Sequence, residues 1–138
     1  MSRPVFTFTD EGEFRLSERW KYTIPNGTGA FVILPAGMRT NFATIPSIAR
    51  AVINPVDPDI VVAATVHDWL VGEFVDRPEE APVMWLKRRD GSYGRYRPRW
   101  SESARIMRTI MREEGAPWWK RTAVYIAVRV HGIIQRKG

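Results

Sequence analysis

Asp57-Pro58-Asp59-Ile60-Val61-Val62-Ala63-Ala64-Thr65-Val66-His67-Asp68-Trp69-Leu70-Val71 is the stretch on which the fold turns. Asp57 suits a helix N-cap, and Pro58 suits the first turn, where its missing N–H removes no intrahelical bond. Behind them Ile60, Ala63, Ala64, His67, Leu70, Val71 and Phe74 recur at helical spacing. The pattern predicts a long helix with His67 turned inward and Asp68 toward the edge of the apolar stripe.

Upstream the period is two. Val5 to Thr9 alternates, Asp10-Glu11-Gly12 turns, and Glu13 to Ser17 alternates again. Arg19 to Ile24 predicts a third strand, Pro25-Asn26-Gly27 breaks it, and Ala30 to Leu34 predicts a buried fourth. Pro35-Ala36-Gly37 then opens a loop carrying Thr40-Asn41-Phe42-Ala43-Thr44-Ile45-Pro46, with a short helix expected from Pro46 to Ile53. Downstream, Val83 to Lys87 and Tyr93 to Tyr96 predict a hairpin turning at Asp90-Gly91. Trp100-Ser101-Glu102 opens a helix with apolar positions Ala104, Met107, Ile110 and Met111, closed by Gly115. A last helix begins at Pro117 and runs to about His131-Gly132. These elements make an α+β fold. An antiparallel meander of about four N-terminal strands is covered by three to four helices, with an inserted β-hairpin near 83–97.

At 138 residues the chain is expected to form a single domain over 1–138, large enough to bury a core. Apolar residues make up 44% and aromatics 12%, which excludes a disordered chain. The absence of cysteine excludes disulfides, thiolate metal sites and a thiol nucleophile, and fits a reducing compartment or indifference to redox. Asp10, Glu11 and Glu13 interrupt the N-terminus, so no signal peptide is expected, and no apolar run reaches the ~20 residues of a transmembrane helix. Charge is unevenly spread. Residues 1–82 hold 7 Lys/Arg against 11 Asp/Glu, and residues 83–138 hold 14 against 4. A net of −4 beside a net of +10 is either a solvated basic face or a surface that meets an acidic partner. Nucleic acid is the weaker partner, because no helix-turn-helix, zinc-finger or RNP-like pattern occurs.

His67 and Asp68 are the candidate chemistry. An imidazole titrates near neutrality and can serve as a general base when a carboxylate orients its far nitrogen. Asp68, adjacent in sequence, projects about 100° away on a helix and cannot easily orient His67. It could instead hold a hard cation or cap a loop. Equally, His67 and Asp68 can be a buried polar pin that forms a structural hub with Asn41 and Thr44 of the preceding loop. The second histidine stands 64 residues away and no metal-ligand spacing occurs, so neither a metal nor a cofactor is expected. No nucleophile elbow or phosphate-binding loop is present. Trp118-Trp119 is a core anchor or an exposed patch, since adjacent indoles point different ways on a helix. With Arg105, Arg108 and Arg112, these tryptophans are candidates for an interface.

Thr40 to Pro46, then Ala64-Thr65-Val66-His67-Asp68-Trp69-Leu70, then Ala127-Val128-Arg129-Val130-His131-Gly132 resemble three blocks of a small phage and prophage family, domain of unknown function 1353. The resemblance covers roughly residues 30–134. Members of that family are encoded in phage and gene-transfer-agent genomes, often near tail genes. The resemblance therefore implies a bacteriophage virion or tail-assembly protein, made in the host cytoplasm and carried in the particle, whose partners are tail or tail-tip subunits. The family's pattern is also similar to the paired helices of phospholipase A2 domains. There a histidine activates water, its neighbouring aspartate helps hold calcium, and an aspartate on a second helix orients the histidine. His67 and Asp68 match that first helix, which implies an alternative role as a hydrolase of phospholipid or cell-wall substrates with these two as catalytic residues. The second helix departs, with Ser103-Ala104 where Ala-Asp would stand, and Asn41 and Val71 depart from the usual aspartate and tyrosine. Glu102 is the nearest substitute for the orienting acid in that alignment.

Overall fold

Alternating side chains need a core on one face only, and β3 (Trp20–Thr23) shows how that demand is met. Trp20 and Tyr22 are buried while Lys21 and Thr23 face out. Its neighbour β4 (Phe31–Leu34) buries Val32 and Leu34 in matching register, Tyr22 opposite Val32 and Trp20 opposite Leu34. In this computed structural model, residues 3–8, 14–40, 54, 57–71 and 84–134 are described.

The strands divide into two antiparallel sheets. One holds β1 (Phe6–Phe8), β2 (Phe14–Leu16) and β5 (Arg39–Thr40), in the order β1-β2-β5. The other has the order β3-β4-β6-β7, with β6 (Met84–Lys87) and β7 (Tyr93–Tyr96). The α+β class and the N-terminal strands are as expected from the sequence. Two features of the strand layout differ from the single meander. The strands part after Leu16, and the 84–96 hairpin extends the second sheet, with Trp85 opposite Phe31. Period-two patterning tells which face a residue occupies and nothing about which strand lies beside it. The hairpin turn forms where Asp90-Gly91 predicts it. Gly91 adopts φ +89°, and the Asp90 carboxylate accepts the Ser92 amide at 2.9 Å.

The helices are α1 (Pro58–Leu70), α2 (Trp100–Glu113) and α3 (Trp118–Ile134). α1 packs on β4 and on α2, and α2 packs on α3. α1 is no amphipathic surface helix, because every residue from Val62 to Leu70 is buried. Asp68 therefore lies inside the protein and not at the edge of a stripe. The Thr65 hydroxyl satisfies itself on the Val61 carbonyl at 2.7 Å. α2 ends as predicted at Gly115. Its φ is +89°, Gly115 N–H donates to Arg112, and Ala116 N–H reaches back to Met111. α3 starts as expected but continues two residues past Gly132. The segment expected as a helix over Pro46 to Ile53, and Phe74, lie outside the described residues.

Asp57 occupies the N-cap of α1, yet its carboxylate does not cap. It accepts from Lys120 Nζ at 2.8 Å, and Asp59 accepts from the same ammonium at 2.7 Å. Burial alone would lower the Lys120 pKa, but these two hydrogen bonds and their charges raise it above the ordinary lysine value. The clamp joins the starts of α1 and α3, which are 61 to 63 residues apart in sequence.

Candidate functional site: a buried histidine–aspartate pair

Asp68 is fully buried and His67 is 1% exposed. A carboxylate in that setting needs donors. One of them is the Thr40 hydroxyl, which donates to Asp68 Oδ2. Thr40 is itself held by pairing with Phe14, so the bond ties the end of β5 in the first sheet to the last turn of α1. Asn41 and Thr44, the other expected members of this cluster, lie outside the described residues.

His67 meets an aromatic wall. The Trp100 indole stands edge-on to the imidazole, with ring centroids 5.2 Å apart and planes at 85°. Trp100 opens α2, and its Nε1–H donates to the Val128 carbonyl of α3 at 3.3 Å. The indole is seated against Gly132, where an added Cβ would fall 2.0 Å from Nε1. Trp100, on α2, therefore touches α1 and α3 and links two of the sequence blocks, with His67 on the indole and Val128 with Gly132 beneath it, while Thr40 of the remaining block bonds Asp68. Sequence reasoning singled out neither Trp100 nor the role of Gly132. The available signal was Ile133-Ile134 after Gly132, which lets the helix run past a glycine that costs about 1 kcal/mol in propensity unless close packing needs it. His131, next to that glycine, is exposed, its ring 6.4 Å from the indole.

The acid proposed to reach His67 is engaged elsewhere. Both Glu102 oxygens accept from the Tyr96 hydroxyl at 2.6 Å, and Oε1 also accepts the Arg99 amide at 3.1 Å. The Tyr96 bond, helped by Arg99, holds the Glu102 carboxyl below its ordinary value. Ser103 turns its hydroxyl back onto the Arg99 carbonyl at 3.1 Å, and Ala104 is buried. Among the described residues no three His, Asp or Glu side chains gather to hold a metal ion.

The other sequence candidates lie on the surface of α2 and α3. Trp118 is 66% and Trp119 56% exposed, so both indoles face outward, where sequence spacing required only one. Arg105, Arg108 and Arg112 form an exposed ridge on α2. The Arg108 guanidinium sits 5.2 Å from the centre of the Tyr125 ring, joining the ridge to α3.

Residues 14–128 match the family described as Protein of unknown function (DUF1353). The match takes in β2 and β3 as well as Thr40, His67, Asp68, Trp100 and Val128, and it stops short of Gly132. No curated protein and no solved structure matches the chain.

Proposed function

This chain belongs to the DUF1353 family, and from that premise we propose that it is a bacteriophage virion or tail-associated assembly protein acting through protein–protein contacts. The observation that carries this reading is the contrast between its two candidate regions. The titratable pair is sealed inside, with His67 1% exposed, while Trp118, Trp119 and the arginine ridge of α2 stand in solvent. A general base must reach the proton it removes, and a docking surface must be outside. The resemblance to phage and prophage proteins encoded near tail genes supplies the setting.

In this role His67, Asp68 and Thr40 are an internal polar hub that anchors the end of β5 to α1. The partners are other virion proteins, at the tail or its tip, and the protein is made in the host cytoplasm before entering the particle. Mass spectrometry of purified particles tests the reading. The chain should appear at a fixed copy number beside the tail subunits. Particles that lack it, from a phage that expresses it in the infected cell, would refute a virion role.

A further inference from the structure

α3 buries only a narrow seam of Lys120, Val124, Val128 and Gly132. On its opposite side Trp119, Ala123, Ile126, Val130 and Ile133 follow one another at separations of four, three, four and three residues. All five are exposed, Ile126 at 54% and Ile133 at 63%. This is the spacing by which one helix meets another along a seam. At 1.5 Å per residue the stripe is about 21 Å long, and no charged side chain interrupts it. An apolar face of that kind marks a contact site in a folded protein.

Its edges identify the occupant. Projected down the helix axis at about 100° per residue, Arg129 borders the stripe on one side, whereas Arg121 lies beside the buried seam and donates to the Ala116 carbonyl. α3 contains Lys120, Arg121 and Arg129 and no Asp or Glu. A second copy of this helix would bring the same basic edge and no acid to meet it. A helix bearing Asp or Glu along one flank would be complementary in both charge and apolar spacing.

We infer that the outer face of α3 docks an amphipathic helix of a neighbouring protein, with apolar residues at the same three–four spacing and a carboxylate aligned on Arg129. The inference rests on the reading of the protein as an assembly component and names the chemistry of its partner. Fluorescence anisotropy with the full chain tests it, using two labelled peptides about three heptads long. Both carry leucine at three–four spacing; one has glutamate along its flanks and the other lysine. The glutamate peptide should bind at least ~10-fold more tightly, and its binding should weaken as salt rises. Ile126→Glu combined with Val130→Glu should abolish binding without moving the melting temperature, because both positions are exposed. Arg129→Glu should narrow the gap between the peptides.

No binding, equal affinity for both peptides, or binding unchanged in the double variant would overturn the inference. A wild-type dimer in sedimentation that dissociates in the double variant would assign the face to a second copy and overturn it too. The two readings fail separately. A chain found in particles that ignores the glutamate peptide sinks only the docking helix, and a chain that binds the peptide but is absent from particles sinks only the virion role.

Discussion

At the scale of single residues, His67, Gly132 and Tyr22 carry the clearest consequences. His67→Ala removes the edge-on contact with Trp100 and opens a polar void beside Asp68. It should lower stability by about 1–3 kcal/mol, measured as a fall in urea midpoint. An unchanged midpoint would remove the hub. Gly132→Ala sets two effects against each other. Alanine gains about 1 kcal/mol of helix propensity, but its Cβ would lie 2.0 Å from the Trp100 nitrogen. Overpacking of that kind costs about 1–3 kcal/mol, so the clash wins and the melting temperature should fall. A rise would mean that the indole moves aside without cost. Tyr22 is buried, and among the described residues its hydroxyl has no hydrogen-bond partner. Burial first, then the Glu114 and Glu113 charges, push its pKa up to about 12. The folded state thus holds this proton more tightly than the unfolded chain. The contribution is fully present below the ordinary tyrosine value and is lost as pH rises from there through about 12. Tyr22→Phe should be neutral or stabilising by up to about 1 kcal/mol at neutral pH, and should flatten the loss of stability on alkaline titration. A steeper alkaline loss in the variant would contradict this assignment.

At the scale of elements, the Lys120 clamp is the test case. The lysine side chain is 11% exposed and bonds Asp59, whose side chain is 22% exposed, and Asp57, whose side chain is 38% exposed, so the second arm is largely screened by water. Lys120→Met should cost about 1 kcal/mol and loosen the first turns of α1 and α3, read as faster amide exchange there. Because the lysine pKa is raised on folding, the clamp contributes below the ordinary lysine value and is lost as pH climbs through the raised one. Unchanged exchange at both helix starts would show that the clamp is ornamental. This scale was also the most legible from sequence. Asp57-Pro58, Gly115 and Asp90-Gly91 start or stop their elements through backbone chemistry that acts within a few residues. The split of the strands into two sheets was not legible, because pairing depends on residues distant in the chain. The sequence pattern sets Asp68 at the edge of a stripe for a related reason. The all-round burial of α1 is imposed by the sheet and by α2, and the helical period alone carries no trace of either.

At the scale of the whole molecule, three separated blocks converge on one interior point. Thr40 is joined to the second block through Asp68, and Trp100, a residue outside all three, joins His67 to Val128 and Gly132. The inward direction of His67 was readable from periodicity, and the depth of Asp68 was not, since depth is a property of the assembled layers. The outward pair Trp118 and Trp119 was half readable, because helix geometry separates neighbours without telling how narrow the buried seam of α3 is. The uneven charge belongs to this scale as well. With Arg105, Arg108 and Arg112 on one exposed ridge, the partner contacts proposed for α2 and α3 should weaken as ionic strength rises.

The imidazole as a strut and the imidazole as a base give opposite results in one assay. Purified wild-type and His67→Ala proteins are to be incubated with phospholipid vesicles and with peptidoglycan, each with and without calcium, after circular dichroism has established that both are folded. The strut role predicts no turnover by either protein and a lower melting temperature for the variant. Turnover by the wild type that disappears in a folded variant of unchanged melting temperature would contradict it.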